Sequence, residues 1–407
     1  MPNLLVRSFA PLLLAFQSCF TQPSFHSFWA LSCAWILCSG RRSLTRIIQS
    51  AQLTELKHYC SFHRFFSQAR WNLDDLGRCV FQLLFPFCDE ILLAAVDDTL
   101  ARKSGRHIWG AGMHHDPLRS TPNRPFFAFG HNFVVFSLQV SLPFAPHKCW
   151  AFPILVRMYR KRQTVQRAPG KGGTLERKQT GQATAKQYRT RPELAAEMIQ
   201  IVASWIPQRT LRVLGDSEYA GQSVSRHLPA NAKLISRMNM KAALYEPAGK
   251  TAKRGRRRKK GHRLLSPLQM AQEPKAHWIK TTVRLYGKKV KLWYQTVDAL
   301  WYPSAGQQLL RIVLVRDPSG RRSADGPSIA LPALLEFRQV VLDPTQDGRV
   351  REGNASIRHH DHQVSEAQFE TCVPADAKND DLSVEMPSAE QCLDRNKPAH
   401  PAIIVHR

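Results

Sequence analysis

No two cysteines of this 407-residue chain stand in a C-x-x-C arrangement, although nine are present. That argues against a zinc site and against the disulfide framework of a secreted protein. Cys33, Cys38, Cys79 and Cys149 lie among apolar neighbours and are expected to be reduced core residues. Long apolar runs are lacking as well. Leu4 to Phe16 is interrupted by Arg7 and Pro11, which makes it too short and broken for a membrane-spanning helix. It also lacks the small-residue cleavage site of a signal peptide, so a cytoplasmic protein without a membrane partner is expected. Acids are scarce: 31 Asp+Glu face 58 Lys+Arg, a formal charge of +27. The scarcity is uneven. Residues 326–407 hold 8 basic and 13 acidic residues, which leaves 50 and 18, or +32, on residues 1–325. A charge of about 2 to 8 suffices for solubility. An excess this large would destabilise a free compact chain by self-repulsion and points to a nucleic-acid partner.

Against that shortage, two stretches place acids where they are costly. Ile91-Leu-Leu-Ala-Ala-Val96 is an unbroken apolar run that ends in Asp97 and Asp98. A short apolar run bounded by polar residues reads as a strand buried on both faces. An unpaired carboxylate at the end of such a strand is expensive. The pattern returns in Leu211-Arg-Val-Leu-Gly-Asp-Ser-Glu-Tyr219, where Asp216 follows another short apolar strand. Two strand-end aspartates in a basic chain suggest Mg2+-dependent chemistry on a polyanion.

The rest of the chain supports a three-part division. Residues 1–88 read as helical, with Phe25, Phe28, Trp29, Leu31, Ala34, Trp35 and Leu37 at helical spacing and a break at Gly40-Arg41-Arg42. Arg41, Arg42 and Arg64 fit either DNA contact by a helical domain or the ordinary basic face of a domain packed on the core. Residues 89–325 alternate strands and helices: strands at Ile91–Leu100, Asn132–Val140 and Trp150–Val156, then a helix opened by Thr190 and Glu193 as a capping box. Strands follow at Lys233–Met238, Trp278–Leu285, Lys289–Val297 and Leu309–Arg316, with a hairpin turn expected at Tyr286-Gly287. Two basic segments interrupt them. Residues 157–190, with Lys161 and Arg162, read as a surface loop, and residues 249–263, with Arg256, Arg257, Arg258, Lys259 and Lys260, as a run without structure of its own. Both could contact DNA phosphates. His114-His115-Asp116 is a weak metal candidate, because the three are adjacent and lack a further ligand at suitable spacing. Residues 326–407 are acidic, rich in Pro, Ser, Asp and His, and read as disordered.

Taken in order, Trp35-x-Leu-Cys-x-Gly-Arg-Arg42, Phe62-His-Arg-Phe-Phe66, Val96-Asp-Asp-Thr99, Gly130-His-Asn132, Leu214-Gly-Asp-Ser-Glu-Tyr219 and Val313-Leu-Val-Arg-Asp-Pro318 resemble insertion-sequence transposases of the DDE superfamily. The likeness covers about residues 20–322. It implies an RNase H-like α/β fold: a mixed sheet with flanking helices, an N-terminal helical domain and an all-β insertion, here about 277–316. It implies metal-dependent cleavage and transfer of double-stranded DNA at the ends of a mobile element, at the bacterial nucleoid, by a protein that could act as a homodimer. The first two catalytic acids match Asp98 and Asp216, with Asp97 beside the first. They would hold Mg2+ (or Mn2+); two ions about 4 Å apart activate the attacking oxygen and stabilise the leaving one.

The resemblance breaks at the third acid. In the family it is a Glu on a helix, preceded by Tyr and Arg, but the last tyrosine here is Tyr302. Glu336 is the nearest Glu past the β insertion, and Glu218 is the other acid next to the second strand; neither stands in the family's context. A tail replaced by a shifted reading frame near 322–330 would account for the change in charge and composition. Impaired catalysis is therefore expected, and the alternative is a non-catalytic remnant that still binds DNA.

Overall fold

The computed structural model describes residues 9–105, 108–121, 123–162, 165–167, 174–176, 187–249, 257–285, 288–316 and 402–406. Arg256, the turn at Tyr286 and Gly287, Glu336 and the tail from 326 to 401 lie outside the described residues.

The chain opens with helices α1 (Gln22–Leu37), α2 (Leu44–Ser50), α3 (Tyr59–Ser67) and α4 (Leu73–Leu84). Each start after the first is fixed by a side chain that accepts an otherwise orphaned N–H: Ser43 from Arg46, His58 from Cys60, and Asn72 from Asp74. Gly40, at φ 84°, makes the turn between α1 and α2 in a conformation that side chains resist. Leu31, Ala34, Ile47, Ile48, Phe62 and Phe65 bury one another between α1, α2 and α3. Helix α4 does not share that core. Phe81 and Leu84 pack in the core cluster of the sheet.

The strands are β1 (Ile91–Arg102), β2 (Gly112–His115), β3 (Phe127–Leu142), β4 (Ala145–Tyr159), β5 (Val165–Arg167) and β6 (Thr174–Glu176). Helix α5 (Arg191–Trp205) separates them from β7 (Thr210–Gly215) and β8 (Ala232–Met238). Then come β9 (Ile279–Leu285), β10 (Lys288–Leu300), β11 (Leu309–Arg316) and β12 (Ala402–His406). β5 and β6 pair with each other. The large sheet is mixed: β1, β7 and β8 run parallel, while β3 pairs antiparallel with β1. Along the other edge of β3 lie β2, beside Phe127–Gly130, and β4, beside Asn132–Leu142. This is the mixed sheet with flanking helices expected of an RNase H-like domain. Of the described residues, Lys280–Trp293, most of the β9–β10 hairpin, forms a second compact unit, whereas β11 belongs to the first.

One apolar cluster joins Leu92, Ala94 and Val96 of β1, Val134, Phe136 and Leu138 of β3, and Leu194, Met198 and Val202 of α5. Close approaches set its geometry. A Cβ on Gly77 of α4 would collide with the Ile154 carbonyl oxygen of β4. Arg157 of β4 then binds Asp74 of α4 in a two-bond fork at 2.7 and 2.8 Å and Glu197 of α5 at 3.0 Å. Both helices are therefore anchored to one strand.

Two expectations need correction. Residues 402–406 are not disordered: they form β12, antiparallel to both β8 and β11. Ala402-Ile-Ile-Val405 is a β-branched apolar run, and two open strand edges are a template for it. Cys149 is exposed on β4 and is not a core residue, although Cys38 and Cys79 are buried. Apolar neighbours in sequence do not bury a residue whose flanking Phe144 and Trp150 are themselves exposed.

Candidate active site

Alternation along β1 sorts its two aspartates. Leu92, Ala94 and Val96 point into the core, and Asp98 continues that face just where the apolar cover of α5 ends. Asp97 points the other way. The parallel β1–β7 register runs through Val96 opposite Gly215, which carries Asp97 level with Asp216 at the next step. So the three aspartates stand together where the β1–β7 pairing stops, Asp97 and Asp98 within β1 and Asp216 just past the end of β7.

Each is held differently. The Asp98 carboxylate accepts from Asn132 Nδ2 and from Arg191 Nη1, both at 2.7 Å. Asn132 lies two residues along β3 from Val134, the register partner of Asp98. Arg191 opens α5 directly after the N-cap Thr190, whose capping box with Glu193 fixes that first turn. Its Nε donates to Glu218 Oε1 at 2.8 Å, so one guanidinium bridges two carboxylates. Asp216 caps the tight turn Ser217–Ala220, accepting from the Ser217 N–H at 2.6 Å. That turn carries Glu218 outward and Tyr219 inward to complete burial.

The acids crowd one another. Burial pushes Asp97 above the usual carboxylate range; an N–H from Asp98 opposes this, and the charges of Asp98 and Asp216 add to it. Burial likewise raises Glu218, Arg191 pulls it back, and Asp98 and Asp216 push it up again. Burial also raises Tyr219, and Asp98, Glu218 and Asp97 help to keep its proton on. On β2, His114 faces the same region. Burial and the cations Lys161 and Arg191 lower it to about 4, with Asp98 acting the other way. Three buried polar atoms around these acids have no partner: Asn132 Oδ1, Tyr219 Oη and His114 Nε2.

The weak His114-His115-Asp116 candidate does not converge. His114 is buried, His115 turns to Ser120 Oγ at 2.8 Å, and Asp116 faces Arg102 at 3.5 Å. His114 and His115 are adjacent on β2 and point to opposite faces. Among the described residues no three His, Cys, Asp or Glu side chains stand in ligating geometry. Even so, the donor set of Asp97, Asp98, Asp216 and Glu218 consists of the hard oxygens that Mg2+ or Mn2+ prefers.

A family model matches residues 15–297, with the description DDE superfamily endonuclease. The chain belongs to that family. No curated protein matches the chain. A transposase-type nuclease acting on DNA is what this membership establishes for the DDE chain. Among its described residues no helix is long and apolar enough to cross a membrane.

The expected DNA-binding residues of the DDE chain are scattered. Arg41 and Arg42 lie exposed between α1 and α2, and Arg64 is exposed on α3. Lys161 and Arg162 are exposed just past β4, and Arg257, Arg258 and Lys259 are exposed as well. Lys260 is not available in the same way: its ammonium sits 3.8 Å from the Tyr245 ring centre and 5.3 Å from that of Tyr302. Residues 257–263 are therefore anchored where an unstructured run was expected, with a Gly261 to Glu246 backbone bond and a bridge between Arg263 and Tyr245. Sequence reasoning missed Arg191, which looked like an ordinary first residue of a helix. Its only signal was a cation at a helix start, where the dipole disfavours one. Asn132 had a better signal, as a polar residue in an apolar strand.

Proposed function

We propose that this chain cleaves and rejoins DNA strands at the ends of a mobile element, with Asp98 and Asp216 as the primary carboxylates and Asp97 beside them. The observation that carries the reading is the parallel pairing of β1 and β7, whose register stops at Val96 and Gly215, immediately before these acids on both strands. Asp98, Asp216 and Asp97 would hold Mg2+ or Mn2+, and the bound ion supplies Lewis-acid polarisation of the phosphodiester. The chain's own part is orientation. Asn132 fixes the Asp98 carboxylate, and the tight turn that Asp216 caps fixes the second acid. Exposed Arg41, Arg42, Arg64, Lys161, Arg162, Arg257, Arg258 and Lys259 neutralise phosphates along the duplex.

Activity is expected to be weak, since no Glu preceded by Tyr and Arg, as in the family, follows Tyr302 in the sequence. The test is nicking of supercoiled plasmid with Mg2+ or Mn2+. Slow nicking that vanishes in both Asp98→Asn and Asp216→Asn is expected. Nicking that survives either change would remove these residues from the chemistry. A non-catalytic DNA binder is the second reading, favoured by the Arg191 bridge across Asp98 and Glu218. Retention of DNA with no nicking under any divalent ion would select it.

A further inference from the structure

We propose that Cys19 and Cys79 are an oxidation site: under peroxide the two thiols join in an intramolecular disulfide that ties the turn ahead of α1 to α4. The pair takes no part in the function proposed above. The Sγ atoms of Cys19 and Cys79 lie 3.3 Å apart, although the residues are 60 positions apart in sequence. Other described thiols give their hydrogen bonds to oxygen: Cys38 to the Ser39 carbonyl, Cys88 to the Leu84 carbonyl and Cys149 to the Gln139 side chain. A disulfide bond is about 2 Å long, so closing the pair takes an approach of about 1.3 Å.

The two sides differ in their freedom to make that approach. Cys79 is buried on α4, and α4 is held against the sheet by the Arg157 fork at Asp74 and by the contact of Gly77 with the Ile154 carbonyl. Cys19 ends the three-residue turn Gln17–Cys19 and is half-buried. Cys19 is therefore the thiol that meets an oxidant first and the one that can move. Its neighbour Phe20 stacks on Phe28 of α1 at 4.7 Å and lies 5.8 Å from Phe65 of α3. The bond would thus fasten the apolar cluster of α1, α2 and α3 to the helix whose Phe81 and Leu84 belong to the cluster of the sheet.

One peroxide balances the chemistry. The Cys19 sulfur attacks a peroxide oxygen, the O–O bond breaks, and a sulfenic acid and one water form, the thiol proton ending on that water. The Cys79 sulfur then attacks the Cys19 sulfur, the S–O bond breaks, and the second thiol proton leaves in a second water. The two sulfurs lose two electrons in all, and peroxide takes them up. Burial first, and then Cys79 and the charge of Asp75, push the Cys19 thiol up to about 12. Thiolate is therefore scarce at neutral pH, and the pair stays reduced until peroxide accumulates.

The test is peptide mapping of the full chain by mass spectrometry. Reduced protein is treated with hydrogen peroxide, raised until exposed Cys60 and Cys149 are oxidised, then alkylated and digested without reductant. A Cys19–Cys79 linked peptide is expected, absent in Cys19→Ser and cleaved by dithiothreitol. Oxidation should also shift the urea midpoint of the natural chain upward, because a cross-link constrains the unfolded chain, and should not do so in Cys19→Ser. Should Cys79→Ser, at a buried position, fail to fold, the half-buried Cys19→Ser carries the comparison. Recovery of Cys19 and Cys79 both alkylated would overturn the proposal, as would Cys19 found as a sulfinic acid or bonded to another cysteine. A linked chain with an unchanged midpoint would overturn the fastening of the two clusters.

Discussion

An aspartate on the core-facing side of a strand has to be satisfied by its neighbours, and Asp98 is satisfied by one amide and one guanidinium. His114 is the opposite case, a buried ring whose Nε2 finds no partner. Its pKa falls to about 4 through burial first and through Lys161 and Arg191 next. The native protein therefore favours neutral imidazole. That contribution is complete above the ordinary value near 6.5 and is lost as the pH falls towards 4. Between pH 7 and pH 5 the loss should be about 2 kcal/mol. His114→Gln should remove it, as read by denaturant unfolding at both pH values. Asp97 and Glu218, both raised, act in the opposite direction, so the comparison between variant and parent is the decisive one. An equal loss in both proteins would mean that His114 is not held neutral by its surroundings. Residues like Asp97, Asp98 and Asp216 were legible because acids beside apolar runs are conspicuous. Arg191 was not, because its reach to Asp98 spans 93 positions of sequence and depends on where α5 begins.

Among the elements, those with a local signal were the easiest to read. The capping box at Thr190 and Glu193 marks the start of α5, and the apolar run at Ile91 marks β1, although β1 continues to Arg102. Strand β12 had almost no such signal. Five residues at the end of an acidic, patternless stretch carry weight only because β8 and β11 leave room for them. Its removal should therefore matter. A chain ending at residue 401 is expected to lose a few kcal/mol, since each ladder hydrogen bond contributes about 1 kcal/mol net and two ladders disappear. Urea unfolding measures this. An unchanged midpoint would show that β12 contributes nothing to the sheet. The parallel trio β1, β7 and β8 gives no local hint of its order either, because parallel partners are joined through distant crossovers.

At the scale of the whole molecule, charge is what the sequence conveys most directly. With +32 on residues 1–325, DNA binding should be largely non-specific and steeply salt-dependent. If about 6 to 10 phosphates are contacted, affinity should fall by roughly 10³ or more between 50 and 200 mM salt. Fluorescence anisotropy with a random duplex checks this, and a flat response would remove the electrostatic account. Charge does not tell which basic residues are free to act. Lys260 counts towards the total, yet two tyrosine rings claim it.

The place of β12 between β8 and β11 also sets a clock. On the ribosome, residues 402–406 emerge well after β11, which ends at Arg316. At about 5 to 20 residues per second, that interval lasts roughly 4 to 17 seconds. Throughout it, β8 and β11 each present an open edge to every neighbouring nascent chain. Growth temperature and translation speed should therefore govern how much of this protein reaches its native sheet, and a slow stretch of codons after Arg316 would lower the soluble yield.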